Sequence, residues 1–390
     1  MNESVKISKR MEKIQPFYVM ELLARAKALE AEGRSIIHME VGEPDFATPE
    51  SIVRAGQQAL EMGHTRYTPA TGLPELREAI ASFYREYFGT AVESARVVVT
   101  PGSSGALQLL LSVLVDPGEA VLLADPGYPC NRHFVQLVGG EPINIPVGPE
   151  TGYQLTAEIV SQAWTKSTRA VLVASPSNPT GTLLTRNELA AIHEVVDQRG
   201  GVLIVDEIYQ GLVYNEQARE TALAISDNIF VINSFSKYFS MTGWRLGWLI
   251  APLPYVGAID RLAQNLFLSP STPAQHAALA AFAPETLTIL EQRRQAFQQR
   301  RDYLLPALQR LGFGIPVTPD GAFYLYANCG ALTHDSFQFC MDLLEQQGVA
   351  VTPGKDFGFN QPQQHLRFAY TTKIPQLQEG VKRLANFIAA

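Results

Sequence analysis

Lys237 and Arg245 stand eight positions apart in Ser234-Phe-Ser-Lys237-Tyr-Phe-Ser-Met-Thr-Gly-Trp-Arg245, a run of small, aromatic and hydroxyl residues. The apolar run just before it, Ile229-Phe-Val-Ile-Asn233, reads as a buried strand. An ammonium group at the end of such a strand is costly unless it is paired or neutral. A desolvated lysine is a good amine nucleophile and condenses with aldehydes to a Schiff base. Arg245 and Ser234 would offer a phosphate clamp beside it. An aldehyde that carries a phosphate points to pyridoxal phosphate. A plain basic loop at a strand end explains the same segment, so the rest of the chain must decide.

Asp206 closes the apolar run Val202-Leu-Ile-Val205 and is followed by Glu207-Ile-Tyr209. A strand-end carboxylate could hold magnesium in a nucleotide site, but that reading needs a G-x-x-x-x-G-K-[ST] loop. Gly354-Lys355 runs on into Asp356, and no such loop is present. Against a pyridine nitrogen, the same carboxylate would keep the ring protonated and able to absorb carbanion charge. Tyr209 would reach the ring's phenolic oxygen. Thr100-Pro-Gly-Ser103-Ser104-Gly-Ala106 joins a strand to a helix, whose N-terminus favours a phosphate; the same residues also serve as ordinary caps. Tyr128, in Asp125-Pro-Gly-Tyr128-Pro, could stack on a flat ring or simply pack in a turn. Ser175-Pro-Ser-Asn178-Pro-Thr-Gly-Thr182 is a constrained loop that fixes the Asn178 amide. Arg367 interrupts the apolar run His365-Leu-Arg-Phe-Ala-Tyr370. Its planar fork suits a carboxylate, and a structural ion pair is the alternative.

These residues need a scaffold that gathers strand ends. Apolar runs at 97–100, 120–124, 170–174, 202–206, 229–233 and 246–251 lack strict alternation, as expected for strands covered on both faces. Helical segments at 105–114 and 186–199 lie between them. That rhythm predicts an α/β fold: a mostly parallel sheet sandwiched by helices, with ligands bound beyond the carboxyl ends of its strands. Beyond residue 285 the texture changes to a charged helix at 291–310, strands at 322–327, 349–352 and 366–370, and helices at 336–347 and 376–388. The expected organisation is a large domain at 45–285 and a smaller α+β domain built from 1–44, with a helix at 19–32, and 286–390.

The bulk numbers set the outer limits. A chain of 390 residues with 46% hydrophobic and 18% charged residues describes an ordinary globular protein. A net charge of −7 without any basic block argues against nucleic acid as a partner. Cys130, Cys329 and Cys340 share no metal-ligand spacing and no disulfide framework, so no metal and a reducing, cytoplasmic location are expected. Charges at Glu3, Lys6, Lys9, Arg10, Glu12 and Lys13 leave no apolar leader, and no membrane span is evident.

In this order, the segments resemble the fold-type I pyridoxal-phosphate enzymes, specifically the class I and II aminotransferases, from about Ile14 to the C-terminus. The resemblance adds Val41-Gly42-Glu-Pro-Asp-Phe46, where Gly42 would meet the substrate carboxylate, and Tyr67-Thr-Pro-Ala-Thr-Gly72, whose tyrosine would reach the cofactor phosphate of a neighbouring subunit. It implies that Lys237 forms the Schiff base and that Asp206 partners the pyridine nitrogen. Asn178 and Tyr209 would bond the phenolic oxygen, and Tyr128 would stack on the ring. Ser103, Ser104, Ser234 and Arg245 would bind the phosphate, and Arg367 the α-carboxylate. The implied activity is transfer of an α-amino group between an amino acid and a 2-oxo acid, with 2-oxoglutarate as acceptor, in a homodimer with shared sites.

Two departures from the pattern stand out. Asn131 replaces a histidine or tyrosine near the Asp206 surroundings, and no cation stands at Ser104 or within 268–275 to clamp a distal carboxylate. A neutral or aromatic donor is therefore expected over aspartate, with Phe17, Tyr18, Tyr67 and Phe323 around the side-chain pocket. A lyase on the same scaffold is the alternative. A pyridoxal-phosphate-sensing regulator would need a DNA-binding domain that the roughly forty residues before Gly42 cannot hold.

Overall fold

The computed structural model describes residues 6–390; Glu3, counted above among the N-terminal charges, lies outside them. Its strands are β1 (Ile37–Met39), β2 (Val97–Thr100), β3 (Ala120–Asp125), β4 (Glu141–Pro146), β5 (Thr168–Ala174), β6 (Val202–Asp206), β7 (Phe230–Ser234), β8 (Gly247–Ile250), β9 (Tyr324–Asn328), β10 (Val349–Pro353) and β11 (His365–Ala369). They form a seven-stranded sheet in the order β2-β8-β7-β6-β5-β3-β4 and a four-stranded sheet in the order β1-β10-β11-β9. In the large sheet only β8 runs against its neighbours. This is the expected mostly parallel α/β arrangement.

The central strands β6 and β7 are buried at every position, which is why their sequences read as unbroken apolar runs. The sequence reading passed over β4. Its strand Glu-Pro-Ile-Asn-Ile-Pro has no buried position and carries two prolines, which an edge strand accommodates because its outer N–H groups need no partner. The three-residue β1 was too short to carry a pattern. The charged helix starts earlier than 291: it spans Pro284–Arg310, with proline in its first turn, where no intrahelical N–H bond is lost. Leu290, Phe297 and Leu304 recur every seventh residue on its buried face.

Because β2, β3, β5, β6 and β7 run in parallel, Thr100, Asp125, Ala174, Asp206 and Ser234 all end at one edge of the large sheet. Each strand hands its chain to a loop or helix there. The small sheet brings its own contribution to the same place, through Tyr324 on β9, Thr352 on β10 and Arg367 on β11. Thr352 and Arg367 are directly paired across the ladder. The loop after β1 carries Gly42 and is held to the long helix by a bidentate pair: Arg300 Nη1 and Nη2 donate to Asp45 Oδ1 and Oδ2 at 2.7 and 3.0 Å. Phe46, next in the loop, packs edge-on against Phe297. Among the described residues no helix is long and apolar enough to cross a membrane.

Candidate active site

At the carboxyl edge of the large sheet lies a cavity of about 310 Å³. Its wall includes Gly42, Ser103, Ser104, Tyr128, Asn178, Asp206, Tyr209, Lys237, Arg245 and Arg367. Ten of the residues singled out from sequence are thus brought together. A wider groove of about 770 Å³ runs past Glu150, Phe313 and His365, and none of those residues lines it.

Lys237 Nζ donates to the Gly42 carbonyl at 2.6 Å, so the strand-end lysine is tied to the loop after β1. Burial, and then the positive charge of Arg367, pull its pKa down to about 8, with Glu43 and Asp206 opposing. Asp206 sits in the same cavity, almost fully buried, with Oδ1 accepting from the Ile208 N–H at 3.1 Å. Burial raises its pKa to about 6, and its backbone bond and Lys237 pull the other way. At neutral pH the carboxylate is therefore ionised, and the amine lies within about one unit of releasing its proton.

One end of the cavity is cationic and rich in hydroxyls. The helix Gly102–Leu114 starts there, with Ser103 and Ser104 in its first turn. Arg245 reaches over that start. A Cβ on Gly102, which has φ of +71°, would lie 2.6 Å from Arg245 Nη2, so glycine is what lets the guanidinium settle on the helix N-terminus. Arg245 itself holds φ of 53°, a left-handed conformation costing an ordinary residue about 1–2 kcal/mol. Its Nη1 donates to the Thr242 carbonyl at 3.0 Å and approaches Ser236 Oγ at 3.5 Å. Ser236, which the sequence reading passed over, lines the cavity, whereas Ser234 stands behind the wall. The Ser234 hydroxyl is buried between Ser236 Oγ at 3.0 Å and the Leu246 carbonyl at 3.3 Å.

The opposite end centres on Arg367, which is 3% exposed. Its Nη1 donates to Asn178 Oδ1 at 3.0 Å, and its Nη2 donates to the Glu40 carbonyl at 2.5 Å and Thr352 Oγ1 at 3.3 Å. Its Nε is buried without a hydrogen-bond partner. The guanidinium lies 4.4 Å from the centre of the Tyr324 ring and 4.8 Å from that of Phe357. Among the described residues no carboxylate pairs with it, so the structural ion pair weighed above is absent there.

Tyr324 was missed from sequence. Its hydroxyl shares a 2.7 Å hydrogen bond with that of Tyr209, and a Cβ on Gly42 would collide with it. Glu40 was also missed, because it contributes only its main-chain carbonyl. Of the residues expected around a side-chain pocket, Phe17 lines the cavity alongside Val19 and Met20. Tyr18 instead packs on Phe337, and Phe323 is buried behind Tyr209. Tyr67 is 81% exposed and does not line the cavity. Asn131 is buried and lines a separate small cavity that also touches Tyr128 and Asn178, with its Oδ1 lacking a hydrogen-bond partner.

The family model "Aminotransferase class I and II" matches residues 34–384. Among similar characterised proteins, the valine–pyruvate aminotransferase of Mycobacterium tuberculosis is 38% identical over 96% of this chain and 97% of its own. An aspartate aminotransferase of Geobacillus stearothermophilus is 36% identical over 99% of this chain and 100% of its own. The crystal structure of an aminotransferase from Mycobacterium tuberculosis superposes with a TM-score of 0.94 at 38% identity, covering 99% of this chain and 100% of that one.

Proposed function

This chain belongs to the class I and II aminotransferases, and we propose that the cavity around Lys237 is where it performs its reaction. The enzyme is a pyridoxal-phosphate-dependent transaminase acting on amino acids and 2-oxo acids. The residues present fit that cofactor. Ser103, Ser104, Ser236 and Arg245 form a hydroxyl and guanidinium cradle on a helix N-terminus, suited to a phosphate. Asp206 offers a buried carboxylate in the same cavity as Lys237, and Arg367 keeps an unpartnered donor for a substrate carboxylate.

When bound, the cofactor supplies an aldehyde that captures the amino group and a ring that absorbs the charge left by the α-proton. The chain's residues do the rest. Lys237 Nζ would hold the aldehyde carbon and, once freed by the incoming amine, would take the proton of the substrate Cα onto its own nitrogen. In the cofactor-free protein, burial and the charge of Arg367 already pull the Lys237 pKa down to about 8. Asp206 would hold a proton on the ring nitrogen. Tyr128 would pack on the ring, and Tyr209 would donate toward the phenolic oxygen. With Oδ1 of Asn178 taken by Arg367, its Nδ2 is the end left to a ligand. Arg245, Ser103, Ser104 and Ser236 would hold the phosphate, with the Ser234 hydroxyl fixing Ser236 from behind. Arg367, aided by Gly42 and Asn178, holds the α-carboxylate. The observation that carries this assignment is the placement of Lys237 and Asp206 in one cavity with Arg245 and Arg367 in its wall.

The relatives' names differ in donor, valine in one and aspartate in another. We favour a neutral or aromatic donor, because the wall's cations are Lys237, Arg245 and Arg367, each already assigned, and Phe17, Val19 and Met20 are apolar. The acceptor is a 2-oxo acid; 2-oxoglutarate, expected from the family resemblance, would have to seat its second carboxylate without a cation of this wall. Mixing the loaded protein with single amino acids and following the cofactor's visible band tests this. Neutral or aromatic amino acids should move the band fastest, and an exclusive response to aspartate would refute the donor assignment.

The remaining readings concern the chain as a whole. Residues 45–285 are proposed as a cofactor-holding domain, with 1–44 and 286–390 as the domain bringing Arg367. A homodimer is supported by the exposed Leu60, Met62, Tyr67 and Leu268, on segments joined by the Thr272–Arg66 hydrogen bond. A cytoplasmic location fits three unpaired cysteines.

A further inference from the structure

Tyr209 has one hydroxyl proton, for which the Tyr324 oxygen and a ligand oxygen in the cavity would compete. A phenol donates once, so Tyr209 can point its proton at Tyr324 or at a ligand, not both. The two hydroxyls stand 2.7 Å apart, deep in the protein, with their rings nearly perpendicular at 80°. Tyr324 is 1% exposed, lines the cavity, and has the Arg367 guanidinium 4.4 Å from its ring centre. A cation over a phenol's face favours its anionic oxygen and so makes the hydroxyl a better donor. A Cβ on Gly42 would collide with the Tyr324 hydroxyl, so glycine at 42 is what leaves that oxygen in place beside Tyr209.

We propose that Tyr324 is a positioning residue: it donates its hydroxyl proton to the Tyr209 oxygen and thereby directs the Tyr209 proton at the cofactor's phenolic oxygen. The inference rests on the transaminase assignment of this cavity and adds a residue to it. Tyr209 then acts as acceptor and donor at once, and such chained hydrogen bonds strengthen one another. A proton donated to the phenolate oxygen stabilises the less protonated form of the bound cofactor. Losing that bond, or weakening it, raises the pH at which the bound cofactor's visible band changes.

The test is a spectrophotometric pH titration of the loaded wild-type protein and its Tyr324→Phe, Tyr209→Phe and doubly substituted variants. Tyr324→Phe keeps the ring over which Arg367 lies and removes only the hydroxyl. Its midpoint should rise by roughly 0.3–1 pH unit, as for loss of one neutral hydrogen bond. In the Tyr209→Phe background the same substitution should add nothing, because its effect passes through Tyr209. A midpoint that falls would mean that Tyr209 donates to Tyr324, and would overturn the proposal. An unchanged midpoint, or an equal shift in both backgrounds, would overturn it too. Should Phe at 324 fail to fold, Tyr324→Leu carries the same expectation in both backgrounds. Absence of any titrating band in the wild type would defeat the cofactor assignment itself, whereas a normal wild-type band with an unresponsive variant defeats only the role of Tyr324.

Discussion

At the Arg245 end of the cavity the wall comes from neighbouring strand ends of a single sheet, and Arg245 meets Ser236 only nine residues away in sequence. At the Arg367 end the partners lie far apart in sequence: Asn178 is 189 residues from Arg367, and Glu40 is 327. The first end is fixed once the large sheet forms. The second exists only when the small sheet, the loop after β1 and the 175–182 loop are all in place. A cofactor that stays bound suits the first kind of construction, and a substrate that enters and leaves suits the second.

The residue between the two ends gives the largest effect. Lys237→Ala should leave the phosphate end able to bind pyridoxal phosphate while turnover falls by at least ~10⁴-fold, since both nucleophile and proton carrier are lost. Steady-state assays with a coupled 2-oxo acid readout check this; near-normal turnover would remove the distinction between holding and reacting. Next come the two arginines. Arg367→Ala should lower kcat/KM by roughly 10–100-fold through the loss of charge-assisted bonds, with cofactor retention unchanged. Arg245→Gln should do the reverse, weakening cofactor affinity by roughly 10–100-fold with a small change in amino-acid KM at saturating cofactor. Equal effects of the two substitutions on both quantities would erase the comparison. Gly42→Ala should raise KM several-fold, because its Cβ would collide with Tyr324 at the substrate end, while cofactor affinity holds.

The smallest effect is a pH dependence of the cofactor-free protein. The folded-state pKa of Lys237 is depressed from 10.5 to about 8, so the unfolded chain binds more protons between those values. The buried amine therefore costs stability below about pH 8, and that cost fades as pH rises to about 10.5. Lys237→Met should be the more stable protein at pH 7, with the gap in urea midpoint closing toward pH 10.5.

Most of the Arg245 end was legible in the sequence because its polar residues interrupt apolar strand ends, where a serine, aspartate or lysine is conspicuous. Ser236 escaped because the chain leaves its strand at Ser234, so alternation no longer says which of the two serines faces the cavity. At the other end Arg367 stood out as a charge inside a strand. Tyr324 did not, since an aromatic residue in Tyr-Leu-Tyr-Ala-Asn reads as ordinary core. Glu40 acts through a carbonyl that every residue possesses. Contacts between segments hundreds of positions apart leave no local pattern, which is why β1 and the Gly42–Tyr324 approach emerged only in the fold.

Borohydride reduction of the loaded protein, followed by proteolysis and mass mapping, measures directly whether Lys237 is the amine that holds the cofactor. A pyridoxyl group on the peptide containing Lys237 is the predicted result; a label on another lysine, or no covalent label at all, would contradict it.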